Sequence, residues 1–474
     1  MNLLTFLILV LILLDGCSYL LLAPILAAEF EIRKIDSYQY GLMLGAFAVT
    51  ATISSFWTSW FMIKFGRSRV LYAGWVLMWV SVWCIGSIKF IQNNLVMIVT
   101  GSLWRLLQGF ARSLIFATGV SVIIIVNPDE EVYYTGLVEW AYGLGSITGP
   151  LVGSLLYSFF GFLNMFLIFG LVHLIFIPFL KCELPPTIDD NDEATASLIE
   201  NQDKESHVPP ESSFAKQTNM VLDSSKMLEA KNEPEVSYYE LYKDPLITLW
   251  TVTEVILSIA FCYVEPVLSF RLLEFTKSVR LQGLIFSCLA IGYCTISFVV
   301  PYISNCMNLV TLVNLAILFC GLSNLLVGPV TFLPNNVFIV SAGLYLTGAT
   351  VVSMLIPMFP IMLKRWEQRF PSQIRVATDL CSGIYSGTFC FGQLIGPIYG
   401  GYFYDLIGFR NLWTLTALLL LFYSVLFYFL SNWHKTIPDH ADKEDKGHST
   451  NQTTDKLNSK IQPCETQIVH ITQE

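Results

Sequence analysis

Apolar runs long enough to cross a lipid bilayer recur twelve times along this chain. A spanning helix needs roughly 20 apolar residues, and inside lipid every backbone amide must be hydrogen-bonded within the chain, which favours helices. Only 13% of the 474 residues are charged, against about a quarter in a soluble domain. The sequence therefore predicts an all-α polytopic membrane protein. Its helices are expected at 3–28, 39–62, 69–88, 94–124, 132–158, 162–180, 246–270, 281–303, 307–329, 335–363, 374–403 and 410–431.

Two polar segments interrupt this pattern and suggest the domain organisation. Neither has enough apolar residues to form a core, so both are expected to be disordered. The predicted parts are a six-helix bundle at 1–180, a disordered cytoplasmic loop at 181–245, a second six-helix bundle at 246–431 and a disordered cytoplasmic tail at 432–474. The polar segments are interpreted as a solvated linker and tail, with a regulatory or sorting role as the alternative.

Charges near the helix ends predict the orientation. The run 3–28 follows no basic residues and carries Asp15 in its middle, so we interpret it as a retained helix rather than a signal peptide. Lys and Arg are in modest excess on the side that holds both termini and the 181–245 loop. Because basic loops stay inside, this side is predicted to be cytoplasmic.

The two halves of the chain repeat one another. GSITGPLVG at 145–153 returns as GQLIGPIYG at 392–400, and Gly-Phe at 161–162 returns at 408–409, both at a shift of 247 residues. A second match of spacing relates helices one and two to helices seven and eight. Parallel six-helix repeats of this kind build transporters that rock about a central site.

Glycine and proline in the repeated segments have a mechanical reason. Small residues let helix backbones approach closely, and a proline removes one backbone hydrogen bond and bends its helix. We therefore expect these helices to be tightly packed and bent. A structural or gating role is assigned to Gly145, Gly149, Pro150, Gly153, Pro266, Gly396 and Pro397.

At this point the chain resembles the major facilitator superfamily. GRSR at 66–69 resembles the end of that family's signature between helices two and three, although Ile63 replaces its aspartate and Ser59 its first glycine. RLLQG at 105–109 resembles the helix-four motif with a buried arginine, and 145–153 resembles the proton-antiporter motif. The resemblance implies a major facilitator fold of twelve helices in two six-helix bundles. The missing aspartate puts the usual charge-relay gate in doubt.

Within that superfamily the chain is similar to the vesicular amine transporter family. Asp15 followed nine residues on by Pro24 resembles its helix one, KDP at 243–245 the start of its helix seven, and Glu265-Pro266 its helix-seven acid–proline pair. The resemblance implies an amine as the substrate and a vesicle or other acidic-organelle membrane as the location, with the plasma membrane as the alternative.

Three features are most similar to the polyamine branch of that family. These are a short loop after helix one, GLVE at 136–139 and IPMFP at 356–360. Phe47 and Ser386 stand where the monoamine branch has a lysine and an acid. The resemblance therefore implies polyamines rather than monoamines, although Asp15 is more like the monoamine branch.

Charged residues inside the apolar runs are the candidate site. Each costs about 2.5–3.5 kcal/mol at the middle of a membrane helix, so each needs a reason to be there. Glu254 and Glu265 are three helical turns apart and share a face. With Asp15 and Glu139 they form a ladder of carboxylates at several depths, which suits a polycation. The candidates are Asp15, Arg105, Arg112, Glu139, Glu254 and Glu265.

The predicted roles follow from this chemistry. Asp15, Glu139, Glu254 and Glu265 are expected to bind substrate and protons, with Glu265 as the leading acid, because one buried carboxylate can hold either a proton or an amine. Arg105 with Gln108 is expected to brace the structure, Arg67 to act in gating, and His173 to be a packed residue. Aromatic faces that can receive an ammonium are expected at Trp140, Tyr142, Tyr263 and Tyr385.

Three functions stay open at this stage. The first is proton-coupled antiport of polyamines or related organic cations into vesicles. The second is a major facilitator carrier for another solute, such as a drug-like cation, a carboxylate or a sugar. The third is a non-transporting receptor or scaffold on the same fold. No motif in the chain indicates an enzyme, a cofactor, a metal site or a nucleic-acid partner, and the expected partners are a small molecule, protons and lipid.

Overall fold

A computed structural model describes residues 2–35, 37–184, 186–189, 237–264, 267–268, 271–272, 279–328, 336–370 and 373–436. Regular structure within these ranges is helical. The membrane helices are α1 Leu3–Ile32, α2 Ser37–Phe65, α3 Arg67–Gly86, α4 Asn94–Val126, a helix Glu131–Glu183 with arms α5 (131–160) and α6 (162–183), α7 Pro245–Cys262, α8 Val279–Cys306, α9 Leu309–Val327, α10 Val337–Glu367, and a helix Ile374–Thr436 with arms α11 (374–407) and α12 (409–436).

Two single glycines divide the longest helices into arms. Gly161 has φ 73° and ψ 178°, and Gly408 has φ 76° and ψ 170°. This backbone region is essentially restricted to glycine. The repeat of 247 residues found in the sequence thus places the same backbone turn in both halves. Proline does not make these breaks, since the backbone keeps helical dihedral angles at Pro150 and Pro397.

Several helices start where a capping side chain precedes an apolar run. Asn93, Asn308 and Asn336 each accept a hydrogen bond from the backbone amide two residues on, at 2.9–3.0 Å. Asp244 caps α7 in the same way, and Pro245 takes the first helical position, where its missing amide is harmless. Short polar residues between apolar runs therefore set these boundaries.

The helices present apolar side chains outward and polar ones inward. Ten helices of the described residues are long and apolar enough to cross a membrane, and two of them contain two arms each, which gives the twelve predicted segments. Trp57, Phe159, Phe338 and Phe422 each expose 60–82% of their surface, as expected for side chains that contact lipid. The chain is an integral, multi-pass membrane protein, and the predicted fold class is confirmed.

Contacts define the two ends of the helix bundle. At the end that we call the near end, Arg67 at the start of α3 donates to the Ile188 carbonyl after α6 (2.7 Å). At the far end, Arg33 after α1 donates to the Ile91 carbonyl before α4 (2.7 Å). Successive helices therefore run in opposite directions between the near and far ends.

Two glycine ladders set the closest helix approaches. A Cβ atom on Gly149 of α5 would lie 2.6 Å from the Cys17 carbonyl oxygen of α1. One on Gly396 of α11 would lie 2.8 Å from the Cys262 side chain of α7. The remaining members of the ladders, which make equivalent approaches to the same two helices, are Gly145, Gly153, Gly392 and Gly400.

The first and second six helices meet along two seams. At the α2–α11 seam the hydroxyls of Ser55 and Ser386 are 3.0 Å apart. At the α5–α8 seam, Gly136 packs so closely that a Cβ atom would lie 3.0 Å from the Ser297 carbonyl. Because the sequence repeat relates α2 to α8 and α5 to α11, these two seams are equivalent.

The predicted domain boundaries stay predictions. Met1–Phe427 form one compact unit, and the described part of the second unit, Tyr428–Glu474, is the end of α12. Most of the 181–245 loop and of the tail lies outside the described residues.

Candidate functional site

Four charged side chains from four helices are buried in the middle of the bundle. We call Asp15 of α1, Arg112 of α4, Glu139 of α5 and Glu254 of α7 the central cluster. Each exposes 3% of its surface or less. Since the cost of such burial is high in lipid, the contacts of each residue indicate what it is retained for.

Asp15 and Arg112 form an ion pair. A guanidinium nitrogen of Arg112 donates to one carboxylate oxygen of Asp15. The guanidinium also lies on two aromatic faces, 4.3 Å from the ring centre of Tyr142 and 4.7 Å from that of Phe116. From the sequence, Asp15 is predicted to bind substrate or a proton. In the structure, its carboxylate is paired with the guanidinium of Arg112.

Glu139 reaches across the α5–α8 seam to two tyrosines of the second half. The Tyr385 hydroxyl of α11 donates to one carboxylate oxygen and the Tyr293 hydroxyl of α8 donates to the other. All three side chains are buried. Each oxygen retains a second lone pair, so the carboxylate can accept a further donor.

Glu254 is buried with no such partners. Neither of its carboxylate oxygens makes a hydrogen bond within the described part of the chain, and the same holds for the hydroxyl of Ser258 one turn further along α7. Glu254 lies near the Thr388 hydroxyl and within electrostatic range of Glu139. A cationic donor placed here would satisfy a carboxylate that the protein itself leaves bare.

Aromatic rings surround the central cluster. Neighbouring ring centres are 5.6–6.4 Å apart, and Glu139 closes the circle by bridging two of the tyrosines. Ring faces beside carboxylates attract organic cations. This aromatic girdle consists of Phe116, Tyr142, Phe389, Phe261, Tyr293 and Tyr385.

Two of the four predicted aromatic residues lie elsewhere. Trp140 packs on Phe298 at the seam, with ring centres 4.9 Å apart. Tyr263 belongs to the apolar core of the second half at the far end, where its hydroxyl donates to Asn324 (2.6 Å). Tyr142 and Tyr385 are therefore the predicted aromatic residues that face the central cluster.

Arg105 and Gln108 connect α4 to α1. Arg105 donates to the Gln108 side chain (2.6 Å), which donates to the Ser18 carbonyl (3.1 Å). The Arg105 guanidinium also lies 4.8 Å from the ring centre of Phe47. His173 stacks on Trp75 at 4.7 Å. These contacts are bracing contacts between helices.

Arg67 forms a latch between the halves at the near end. Its guanidinium pairs with both carboxylate oxygens of Asp379 in α11, at 2.9 and 2.8 Å, with both side chains fully buried. Ser121 of α4 donates to the same carboxylate, and Ser59 of α2 donates to the Asp379 carbonyl (2.7 Å). In this near-end latch, the acid that pairs with Arg67 comes from the other half and not from the position of the signature aspartate.

Tyr238, just before α7, reinforces the latch. Its hydroxyl donates to the Phe56 carbonyl (3.0 Å) and to Ser59 (2.8 Å) of α2. Burial raises the pKa of the Tyr238 phenol above its ordinary value, so the group stays a hydrogen-bond donor at physiological pH.

A cleft of about 1480 Å³ opens at the near end between the halves. One wall is the turn before α5, with Asp129, Glu130 and Glu131, and the opposite wall includes Lys364. Tyr134 and Trp250 line the cleft one to two turns before the two glutamates of the central cluster. None of the four residues of the central cluster lines the cleft itself.

The remaining predictions fall outside what the structure describes or find no test in it. Glu265 and Pro266 lie outside the described residues. Among the described residues, no group of three His, Cys, Asp or Glu side chains could hold a metal ion.

Sequence reasoning missed three partners. Tyr293 carries no local signal, because an apolar helix gives many tyrosines a packing role. Asp379 was overlooked although it is an acid a few residues inside an apolar run, which was the criterion that found Glu254. Arg112 was noticed as an intramembrane charge but was not given a partner.

Comparison with known proteins places the chain among transporters. The family model for the Major Facilitator Superfamily matches residues 4–372 and 255–462. The MFS-type transporter SLC18B1 of Rattus norvegicus is 24% identical over 421 residues, 85% of this chain and 82% of that protein. The human SLC18B1 is 24% identical over 413 residues, 84% and 81% of the two chains. The riboflavin transporter RibZ of Clostridioides difficile (strain 630) is 24% identical over 211 residues, 44% of this chain and 42% of that one.

Proposed function

The chain belongs to the major facilitator superfamily and transports small molecules across a membrane, and we propose that it exchanges protons for polyamines or related organic cations by alternating access. The observation that carries this proposal is Glu254, a buried carboxylate that accepts no hydrogen bond from the described residues and lies within electrostatic range of a second carboxylate, Glu139. Because Arg112 is paired with Asp15, the two glutamates give the central cluster an excess of negative charge.

The same carboxylates suit proton coupling. A carboxylate held away from water is stabilised by a proton or by an ammonium ion, and the two compete for it. If one side of the membrane is acidic, protons displace the amine there, while the amine displaces protons on the other side. Exchange then follows from a single site that opens to each side in turn.

The surroundings of the cluster favour an organic cation over a sugar or an anion. The aromatic girdle supplies faces for alkylammonium groups. The buried arginine of the cluster is paired with Asp15 and lies against two aromatic rings, so its positive charge is already balanced by a carboxylate. We further propose an acidic vesicle as the location, with both termini in the cytoplasm, in keeping with the basic residues near the helix ends.

Uptake of labelled spermidine into proteoliposomes with an acidic interior tests this function. We expect gradient-dependent uptake by the wild type and its loss in Glu254→Gln, which keeps the size of the side chain but removes its charge. Glu240→Gln is the matched control, because Glu240 is paired with Lys243 at the near end, outside the membrane helices. Glu265→Gln tests the acid that the sequence analysis ranked first.

A folded wild type that takes up no spermidine under any gradient would contradict the proposal. Other cations, and then neutral and anionic solutes including flavins, would be screened under the same gradient, since the similarity to the riboflavin transporter extends over less than half of the chain. Absence of any proton-linked uptake would favour the receptor or scaffold alternative.

A further inference from the structure

The two glutamates of the central cluster are held in different ways. Glu139 has a phenol on each carboxylate oxygen, and both phenols come from the other half of the molecule. Glu254 accepts no hydrogen bond on either oxygen from the part of the chain that the structure describes. Two carboxylates that bound one substrate in equivalent roles would not be expected to differ in this way.

We propose that Tyr293 and Tyr385 position Glu139 as a clasp between the halves, whereas Glu254 is the acid that takes the substrate cation. The second part of this proposal rests on the proposed function; the clasp itself does not. Glu254 would then recognise the substrate, and Glu139 would take part in the movement of the two halves.

The position of the three residues supports the clasp. Glu139 lies on α5 of the first half, and the two phenols lie on α8 and α11 of the second half, across the seam. In a rocking transporter the halves rotate relative to one another, and hydrogen bonds lose strength within a few tenths of an ångström. Both phenols can therefore reach the carboxylate in one arrangement of the halves but not throughout the movement.

The surroundings indicate that this contact is built rather than incidental. Phe116 stacks on Tyr385 at 6.4 Å with an angle of 18° between the rings, and Phe359 packs on its other side at 5.9 Å. Phe261 packs on Tyr293 at 5.6 Å. Each tyrosine is thus held by apolar rings, and Glu139 is the carboxylate to which each hydroxyl donates.

The clasp also bears on how the charge of Glu139 is accommodated. Among the described residues, Glu139 interacts electrostatically with Arg112, which is already paired with Asp15. Two phenols satisfy a buried carboxylate without neutralising it. Glu139 can therefore remain in place whether or not Glu254 holds a substrate.

Separate measurements of binding and turnover test this division. We expect Glu254→Gln to weaken equilibrium binding of labelled spermidine to the purified protein by about tenfold or more, because it removes a charge-assisted contact. The double variant Tyr293→Phe/Tyr385→Phe should bind spermidine within about twofold of the wild type. Its maximal uptake rate, however, should fall by about tenfold. Glu139→Gln should reproduce the loss of rate, and combining it with the double tyrosine variant should add little, since the three residues act as one unit.

Hydrogen–deuterium exchange provides a reading that needs no substrate. Loss of the clasp should favour other arrangements of the halves, so amides at 374–383 beside the near-end latch should exchange faster in the double tyrosine variant and in Glu139→Gln. Glu254→Gln should exchange like the wild type. Tyr399→Phe is the matched control, because that hydroxyl bonds to Thr416 within the second half (2.9 Å).

Two results would overturn the inference. One is weakening of spermidine binding by the tyrosine variants to the same degree as by Glu254→Gln, with an unchanged maximal rate. The other is wild-type exchange at 374–383 in all the clasp variants. If the wild type binds no spermidine, the proposed function fails, but the exchange measurement still decides whether the clasp exists.

Discussion

Asp15 illustrates at the level of single residues how a buried charge depends on its partner. Its carboxylate is held by Arg112, and both side chains are fully buried. Removing one member of such a pair leaves the other charge uncompensated, which typically costs about 3–5 kcal/mol, whereas replacing both members is much less harmful. Asp15 therefore supports the site through Arg112 in this arrangement.

We expect Asp15→Asn and Arg112→Gln each to destabilise the protein, and the double variant Asp15→Asn/Arg112→Gln to be more stable than either. Thermal unfolding of the detergent-purified proteins measures this, with loss of about 3–5 kcal/mol for each single variant. Glu240→Gln, in an exposed ion pair with Lys243, should change stability by less than about 1 kcal/mol. Additive losses in the double variant would contradict the pairing.

Individual residues of the site were predictable only where the membrane makes them conspicuous. An acid in an apolar run can be recognised without any structure, as for Asp15, Glu139 and Glu254. The partners of Asp15 and Glu139 could not be recognised, because Arg112 lies 97 residues from Asp15, and the two tyrosines lie 154 and 246 residues from Glu139 along the chain. The sequence also does not show which of these acids differ in role. Only the contacts distinguish Glu254, which accepts no hydrogen bond from the described residues, from Glu139, which accepts two.

At the level of elements, the two glycine turns are the clearest case in which the sequence repeat determines structure. Gly161 and Gly408 adopt the same backbone conformation, and nothing lies within 4 Å of a Cβ atom added to either. A side chain there would meet no neighbour, so any loss of stability must come from the backbone itself.

Gly161→Ala and Gly408→Ala are each expected to cost about 1–3 kcal/mol. Thermal unfolding again provides the measurement. Gly45→Ala in α2 is the matched control, because it also has open space around it but lies inside a helix, where alanine is favoured over glycine by up to about 1 kcal/mol. Equal effects at Gly45 and Gly408 would exclude a backbone origin.

Helices were predictable as elements, but their ends were not. The predicted runs lie within the observed helices for α1, α2 and α4. Hydropathy stops at the last apolar residue, however, whereas α10 continues through Lys364 and Arg365 to Glu367. The charged side chains at the end of a helix can reach water. The helix can therefore extend several residues beyond the apolar run from which it was predicted.

At the scale of the whole molecule, the two halves meet along two seams, which the proposed alternating access requires to open and close. At the α2–α11 seam the hydroxyls of Ser55 and Ser386 are 3.0 Å apart, close to the near-end latch. Transport by alternating access requires this seam to part in every cycle.

Cross-linking Ser55→Cys/Ser386→Cys should therefore block uptake, and a reducing agent should restore it. The control pair is Ser323→Cys/Thr347→Cys, whose hydroxyls are 2.9 Å apart but lie on α9 and α10 of one half. Its cross-link should leave uptake near the level of the oxidised wild type. Full uptake by the cross-linked seam pair would show that this seam does not part during transport.

The arrangement of the halves was the part of the fold least accessible from sequence. The repeat and the family motifs predicted twelve helices in two related sets, because these depend on local patterns. The latch between Arg67 and Asp379 joins residues 312 apart, and under the proposed alternating access it would belong to one of several arrangements of the halves. A local sequence pattern cannot distinguish between two arrangements of the halves that contain the same helices.

The glycine turns also bear on how the protein is made. With one residue between the arms, the end of α5 and the start of α6 lie at the same depth, and so do those of α11 and α12. No polar loop is available to hold one arm in water while the other enters lipid. The two arms of each pair are thus expected to enter the membrane together as a helical hairpin. The first arm would then insert stably only once the second arm is present.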